Sequence, residues 1–317
     1  MSKYVLGIDT SNYTTSVALI NLDTNEVTYS RKLLPVKKGE AGIRQSEAVF
    51  HHQKQLPIVI KDLIKSEKYD IISIGVTNRP RNIEGSYMPC FMTGYSFAES
   101  LSYLMSIPYF TTSHQVNHIL SALKGTDNIN FTKKNFIAFH VSGGTTDCLI
   151  VSPDKDDIII AEPFSSSLDL KAGQAIDRVG LMLGLSFPCG KELEKLAESS
   201  NYNFKEKIKL KENNCCLSGL ENKCKKMIES GEKKEDTAMY CLSYIGNTII
   251  KMTEAVREKY PEFPIIYSGG VMSDVIIQNM ISSSIENAYF CNAEYSCDNA
   301  IGSAIFAKLK IQEIMKD

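Results

Sequence analysis

The sequence predicts an α/β protein made of two similarly organised halves, and three stretches lead there. "YVLGIDTSNYTTSVALI" (4–20) is an apolar run, a polar turn and a second apolar run, and "FIAFHVSGGTTDCLIV" (136–151) repeats that layout. A repeated strand–turn–strand opening marks a duplicated unit. Around both, strands alternate with helical periodicities, the pattern of layered α/β architecture. Finally, "FPIIYSGGVMSDVIIQNMI" (263–281) runs strand, Gly-Gly turn, helix. In that order a helix N-terminus faces a ligand at the carboxyl end of a strand.

The remaining elements follow from local pattern. "SEAVFHHQKQLPIVIKDLIKS" (46–66) has apolar residues near helical spacing, and Pro57 is expected to begin a new helical segment. "IISIGVT" (71–77) reads as a strand and "NRPRNIEGS" (78–86) as a polar connection. "FMTGYSFAESLSYLMS" (91–106) is helical, "IPYFTTSH" (107–114) a strand, and "QVNHILSALKG" (115–125) a helix ended by Gly125. After the second hairpin, 168–185 is helical, "FPCG" (187–190) stops it, and 191–200 is a short helix. Residues 201–235 are charged and read as a solvated stretch. A long amphipathic helix follows over 236–260, with Asp236 as its N-cap. A strand, a loop and a helix over 288–310 close the pattern. The first domain is expected over 1–110 and the second over 111–298, with a helix at about 299–317 returning to the first.

Composition narrows the class. With 43% hydrophobic and 23% charged residues, the 317-residue chain is globular and long enough for two domains. A net charge of −2 supplies no global attraction to nucleic acid, so any RNA contact must use a local patch. Nine cysteines, an odd number with no Cys-x-x-Cys pair, read as reduced thiols. No apolar run is of membrane-spanning length and no signal-peptide h-region precedes the first strand, so a cytoplasmic protein is expected.

Several groups carry chemistry. His114 and His118, an i, i+4 pair at the start of a predicted helix, present two imidazoles on one face, a spacing that suits a shared metal ion. Asp298 is available as a carboxylate third ligand. By spacing alone, two surface histidines would look the same. His51 and His52, with Glu47 one turn earlier, form a weaker grouping. Three turns rich in Gly, Ser or Thr follow strands, at Thr10–Thr15, Ser142–Thr146 and Ser268–Val271. As a set they could grip phosphates from both sides of a cleft, although each alone is an ordinary turn. Asp9 ends the first strand, where it could orient a metal-bound water or simply cap the turn. Asp177 could accept hydrogen bonds from a ribose diol or form a surface ion pair; Gly190 and Asp274 could complete an adenosine pocket.

In this order and spacing, "GIDTS" (7–11), "HQVNH" (114–118), "VSGGTT" (141–146), "AGQAIDRVGLMLGLSFPCG" (172–190), "CLSGLENK" (216–223), "YSGGVMSD" (267–274) and "SCDNAIGSAI" (296–305) resemble the tRNA threonylcarbamoyladenosine synthase family (TsaD, once called O-sialoglycoprotein endopeptidase). That resemblance implies a two-lobed actin/sugar-kinase/Hsp70-type (ASKHA) fold with duplicated domains around a nucleotide cleft. It implies iron or zinc at His114, His118 and Asp298. It places His140, Val141, Ser142, Gly143, Gly144, Asp177, Gly190 and Asp274 at the sites for an adenine nucleotide or acyl-adenylate, with Ser142, Gly143 and Gly144 nearest the reacting group. The implied reaction moves a threonylcarbamoyl group from its adenylate to N6 of adenosine 37 in tRNA, with protein partners.

The chain departs from the family pattern at defined points. The first turn, roughly S-C-D-E-T in the family, is "SNYTT", with Tyr13 and Thr14 in place of two acids. Thr145 replaces a histidine, Gln174 a carboxylate, and Asp274 an asparagine. "RPR" (79–81) replaces Gly-Pro-Gly. These changes suggest a divergent paralogue and keep two functions open: a metal-dependent carbamoyl-type transferase, or a non-catalytic nucleotide-binding protein that regulates a protein partner. Lysines at 205–211 and 223–226 are dispersed candidates for a basic groove. A metallopeptidase reading lacks a general-base glutamate in the histidine pair.

Overall fold

A computed structural model describes residues 2–11, 13–35, 43–65 and 67–316. Asn12 of the first turn lies outside the described residues. The chain divides into two compact units. The first comprises Met1–Thr132, Pro153–Ala161 and Cys297–Asp317, the second Lys133–Ser152 and Glu162–Ser296. The boundary expected at residue 110 thus falls earlier in the chain than the division between these units.

The first unit holds a five-stranded sheet of β1 (Lys3–Asp9), β2 (Thr14–Asn21), β3 (Val27–Leu33), β4 (Asp70–Arg79) and β5 (Tyr109–Ser113), in the order β3-β2-β1-β4-β5. β1, β2 and β3 are antiparallel neighbours, whereas β4 and β5 run parallel to β1. Side chains alternate between the faces. Leu6, Ile8, Val17 and Leu19 pack with Leu56, Val59 and Leu63 of α1 (Gln45–Ile64) and Ala98 of α2 (Phe91–Met105). Val5 instead joins Ala307 and Ile311 of α9 (Ile301–Ile314). Gly7 and Gly75 let α9 come close: a Cβ at Gly75 would lie 1.9 Å from the Ser303 carbonyl. β5 completes this sheet and α3 (His114–Gly125) packs on α9, which is why residues 111–132 belong with the first unit.

The second sheet repeats the plan. β6 (Phe136–Val141), β7 (Thr146–Asp154), β8 (Ile158–Ser166), β9 (Ile265–Ser268) and β10 (Ala288–Phe290) are ordered β10-β9-β6-β7-β8, the same arrangement read from the other edge. β6 is antiparallel to β7 and parallel to β9. Ile137, Phe139 and Val141 are buried in one core with residues of α4 (Ala172–Met182), α5 (Gly190–Ala197), α6 (Ser218–Glu229), α7 (Lys234–Lys259) and α8 (Val275–Ser284).

Three local expectations need correction. Pro57 starts no new segment; it lies inside the continuous α1, on an exposed face where water can serve the carbonyl that its missing N–H leaves unbonded. Asp236 does not cap α7, which begins two residues earlier; it sits in the first turn and accepts a 2.5 Å hydrogen bond from Ser200. The charged stretch 201–235 contains α6, anchored by buried Leu220 and Cys224. All nine cysteines are free thiols, and among the described residues no helix is long and apolar enough to cross a membrane.

Candidate metal centre and glycine turns

At the junction of β5 and α3, Ser113 caps the helix by accepting from Val116 N at 3.2 Å. His114 is therefore the first helical residue and His118 lies one turn on, with their Nε2 atoms 2.9 Å apart. Asp298 reaches them from the loop before α9. Asn117, between the two histidines in sequence, donates to the Asn299 carbonyl at 2.7 Å and accepts from Ser303 N at 2.7 Å. Asn299 in turn accepts from Ile301 N at 2.9 Å and Ser121 Oγ at 3.1 Å. Gly302 makes this approach possible, because a Cβ there would lie 1.8 Å from the Asn117 carbonyl.

The result is a convergent donor set. Asp298 Oδ1 lies 3.2 Å from His118 Nε2 and 3.8 Å from His114 Nε2. One ligand atom from each of the three residues lies within 4.8 Å of the other two. Around an ion bound at about 2.0–2.2 Å, neighbouring ligands sit roughly 3–4 Å apart, so these residues fit a zinc- or iron-type ion.

Behind this set is Asp9, fully buried. Its Oδ1 lies 3.3 Å from His114 Nδ1, and its carboxylate accepts from Thr77 and, at 2.5 Å, from Ser11. Burial pushes this carboxyl up, but the His114 charge and the hydrogen bonds outweigh it and hold it below the usual range. Burial likewise pulls His114 down, yet Asp9 and Asp298 together raise it. Asp9 thus stands on the Nδ1 side of His114 with both oxygens engaged, which fixes the ring, rather than where it would orient a water on the ion. Thr14 Oγ1 donates to Asp298 Oδ2 at 3.3 Å, at a position where the family motif carries an acid. His52 is separate: it is fully buried, Nδ1 is 2.8 Å from Thr15 Oγ1, and burial takes its pKa down to about 4. His51 is half-buried, and neither it, His52 nor Glu47 joins the convergent set.

The second unit gathers most of the remaining candidates at the carboxyl ends of parallel β6 and β9, where His140 pairs with Ser268. His140 Nδ1 is 3.3 Å from Ser268 Oγ. Val141 is buried, and its carbonyl would clash at 2.2 Å with any Cβ on Gly269, whose φ is +98°. The 142–145 turn is closed by Ser142 N donating to the Thr145 carbonyl at 2.8 Å. Gly143 and Gly144 are exposed, and a Cβ on either would meet nothing within 4 Å. Neither packing nor a positive φ requires these two glycines; what they leave open is space above the turn. Gly173, by contrast, is required by packing, since a Cβ there would lie 2.6 Å from Gly143 N.

The other members join through hydrogen bonds. Asp177 accepts from Cys189 N at 2.9 Å, which places it beside Gly190 at the start of α5. Glu194 of α5 accepts from Val275 N at 2.7 Å, linking α5 to α8. Asp274 caps α8 by accepting from Ile277 N at 3.0 Å; burial raises its carboxyl to about 6. Of the departures from the family pattern, Gln174 accepts from Lys171 N at 3.3 Å and Arg79 pairs with Asp157 at 3.4 Å. Sequence reasoning missed Thr77, Asn117 and Asn299. A polar residue ending the apolar run of β4 was the available signal for Thr77; the two asparagines lie inside the "HQVNH" and "SCDNAIGSAI" segments, but nothing there assigned them a role.

Comparison with known proteins bears on both regions. The family model described as TsaD, tRNA N6-adenosine threonylcarbamoyltransferase, matches residues 24–305. A protein of that name from Thermosipho melanesiensis is 29% identical over 279 residues, covering 85% of this chain and 82% of the relative. Among solved structures, full-length HypF in its phosphate- and nucleotide-bound form superposes with a TM-score of 0.60 at 13% identity, over 98% of this chain and 47% of that one. A ROK-family glucokinase from Streptomyces griseus in complex with glucose and AMPPNP gives 0.52 at 10% identity, over 96% of this chain and 99% of the other. The fold is the actin/sugar-kinase/Hsp70 type.

Proposed function

Since the chain belongs to the tRNA N6-adenosine threonylcarbamoyltransferase family, a family of enzymes, we propose that it is a cytoplasmic, metal-dependent transferase. It moves a threonylcarbamoyl group, or a related carbamoyl group, from an acyl-adenylate to N6 of adenosine in tRNA, with protein partners of its own. The observation that carries this reading is the convergence of His114, His118 and Asp298. These three side chains would hold iron or zinc, which when bound supplies Lewis-acid polarisation of the carbamoyl carbonyl.

The chain's own groups do the rest. With its Nδ1–H directed at Asp9, His114 keeps the Nε2 lone pair for the ion. Above the turn that the Ser142 N–H closes, the backbone N–H of Gly143, and that of Gly144 once released from Ser142 Oγ, would stabilise developing oxyanion or phosphate charge, which bare glycines allow at close range. Asp177 would accept from ribose hydroxyls, with Gly190 and Asp274 beside the adenosine.

A second reading is favoured by one contact. Thr14 donates to Asp298 where the family has an acid, and Asp9, the nearby carboxylate, is fully engaged. A first turn without a free carboxylate suits a nucleotide-binding regulator of a protein partner. Complementation decides between them. In cells depleted of the authentic synthase, expression of this chain is expected to restore threonylcarbamoyladenosine in tRNA. Failure at normal protein level would overturn the transferase reading, and a nucleotide-dependent rise in melting temperature would then leave the regulator standing.

A further inference from the structure

Residues 201–211, "NYNFKEKIKLK", precede α6. Except at exposed Glu206, their burial alternates: Tyr202, Phe204, Ile208 and Leu210 are half-buried, while Lys205, Lys207, Lys209 and Lys211 are exposed. A period of two is the signature of extended chain, in which side chains two apart on one face lie about 7 Å from each other.

The inward side is anchored. The Phe204 ring lies 5.5 Å from that of Tyr240 and 6.1 Å from that of Tyr244, and Tyr202 meets Tyr240 edge-on at 5.8 Å. Glu206, the acid within the row, accepts from the Tyr240 hydroxyl at 2.8 Å and is paired with Lys223, so its charge is already compensated. Among the described residues none of the four outward lysines enters an ion pair. On a chain of net charge −2, four unpaired ammonium groups in a line are a local feature with no global field behind them.

We infer that this lysine row follows the phosphodiester backbone of the acceptor RNA, an inference that rests on the tRNA reading above. A regular line of single cations fits a polymer with one negative charge per nucleotide. The aromatic side chains of the segment are turned into the protein, so they offer bases no stacking platform. The contact is therefore with phosphates, independent of sequence, and serves to position the RNA.

The test is the salt dependence of binding by the full-length chain. Fluorescence anisotropy with an end-labelled tRNA transcript between 50 and 200 mM KCl gives the slope of log affinity against log salt. The variant K205Q/K207Q/K209Q/K211Q is expected to flatten that slope by about 3 and to bind more than about 10-fold more weakly at 50 mM. The loss should be equal for tRNA and for an unrelated structured RNA of the same length. A control, K3Q/K61Q/K65Q/K68Q, removes the same charge at exposed positions of the first unit and should keep the wild-type slope. Equal melting temperatures for all three proteins verify that the fold is intact. An unchanged slope in the row variant, an equal loss in the control, or a loss confined to tRNA would overturn the inference. Row-dependent binding without modified adenosine in the complementation assay would leave the row standing and remove the transferase reading. Modified adenosine with an unchanged slope would do the reverse.

Discussion

The turn between β1 and β2 and the turn between β6 and β7 hold equivalent places in two sheets of one strand order, yet they differ in almost every physical property. In the first, Asp9, Thr10 and Ser11 are fully buried and the carboxylate is fastened by Ser11, Thr77 and His114. In the second, Gly143 and Gly144 are exposed and nothing lies within 4 Å of where their side chains would be. A duplicated backbone supplies strand ends and helix starts twice; the turn residues then decide which charge each end receives. One has become a support for imidazoles that suit a cation; the other leaves open space above two glycines, which the proposed reading gives to an anion.

That contrast can be broken at chosen residues. Asp9→Asn keeps the shape of the first turn but weakens the hold on His114, and metal affinity should fall about 10- to 100-fold by competition with a chelating dye. Unchanged affinity would mean that Asp9 does not orient the ligand. In the second turn, Gly143→Ala and Gly144→Ala should leave the melting temperature alone yet weaken binding of AMP or ADP roughly 10-fold, measured by calorimetry, because each places a methyl over the N–H groups. Gly173→Ala sharpens the point: its Cβ would lie 2.6 Å from Gly143 N, so the expected effect is a stability loss of about 1–3 kcal/mol. If all three glycine variants behaved alike, openness above the turn would have no bearing on ligand binding.

A pH-dependent effect, absent near pH 3.5, concerns Asp274. Burial raises its carboxyl from the ordinary 3.8 to about 6, so the folded state holds the proton more tightly than the unfolded chain. Its stabilising contribution is full below pH 3.8 and is lost as pH rises through about 6. Asp274→Asn retains a good helix cap and should be more stable than wild type at pH 7–8 by up to about 3 kcal/mol, with no difference near pH 3.5. Equal denaturation midpoints at both pH values would show that the carboxyl is not destabilised by burial.

Much of this was legible in the sequence because it is local. The paired strand–turn–strand stretches announced the two sheets, and the i, i+4 spacing of His114 and His118 announced their shared face. Edge strand β3 was not legible, since Thr28, Arg31 and Lys32 are exposed and interrupt an apolar alternation. Pro57 misled because the cost of an internal proline, a lost hydrogen bond and a crowded carbonyl one turn back, is outweighed here by the packing of the rest of α1. The role of Asp9 was hidden for a different reason: its partners Thr77 and His114 come from β4 and α3, and only the parallel β1–β4 pairing and the β5–α3 junction bring them together. The Thr14 contact with Asp298 spans 284 positions of chain, beyond any local pattern. The site depends on long-range packing through Asn117, Asn299 and Gly302, whereas the fold class depends on periodicity.

The most direct test of the division between the two turns is metal content. Wild-type protein and the Gly143→Ala/Gly144→Ala variant should each carry about one transition-metal ion per chain by elemental analysis, and His114→Ala/His118→Ala should carry almost none. Equal metal in all three proteins would contradict the account.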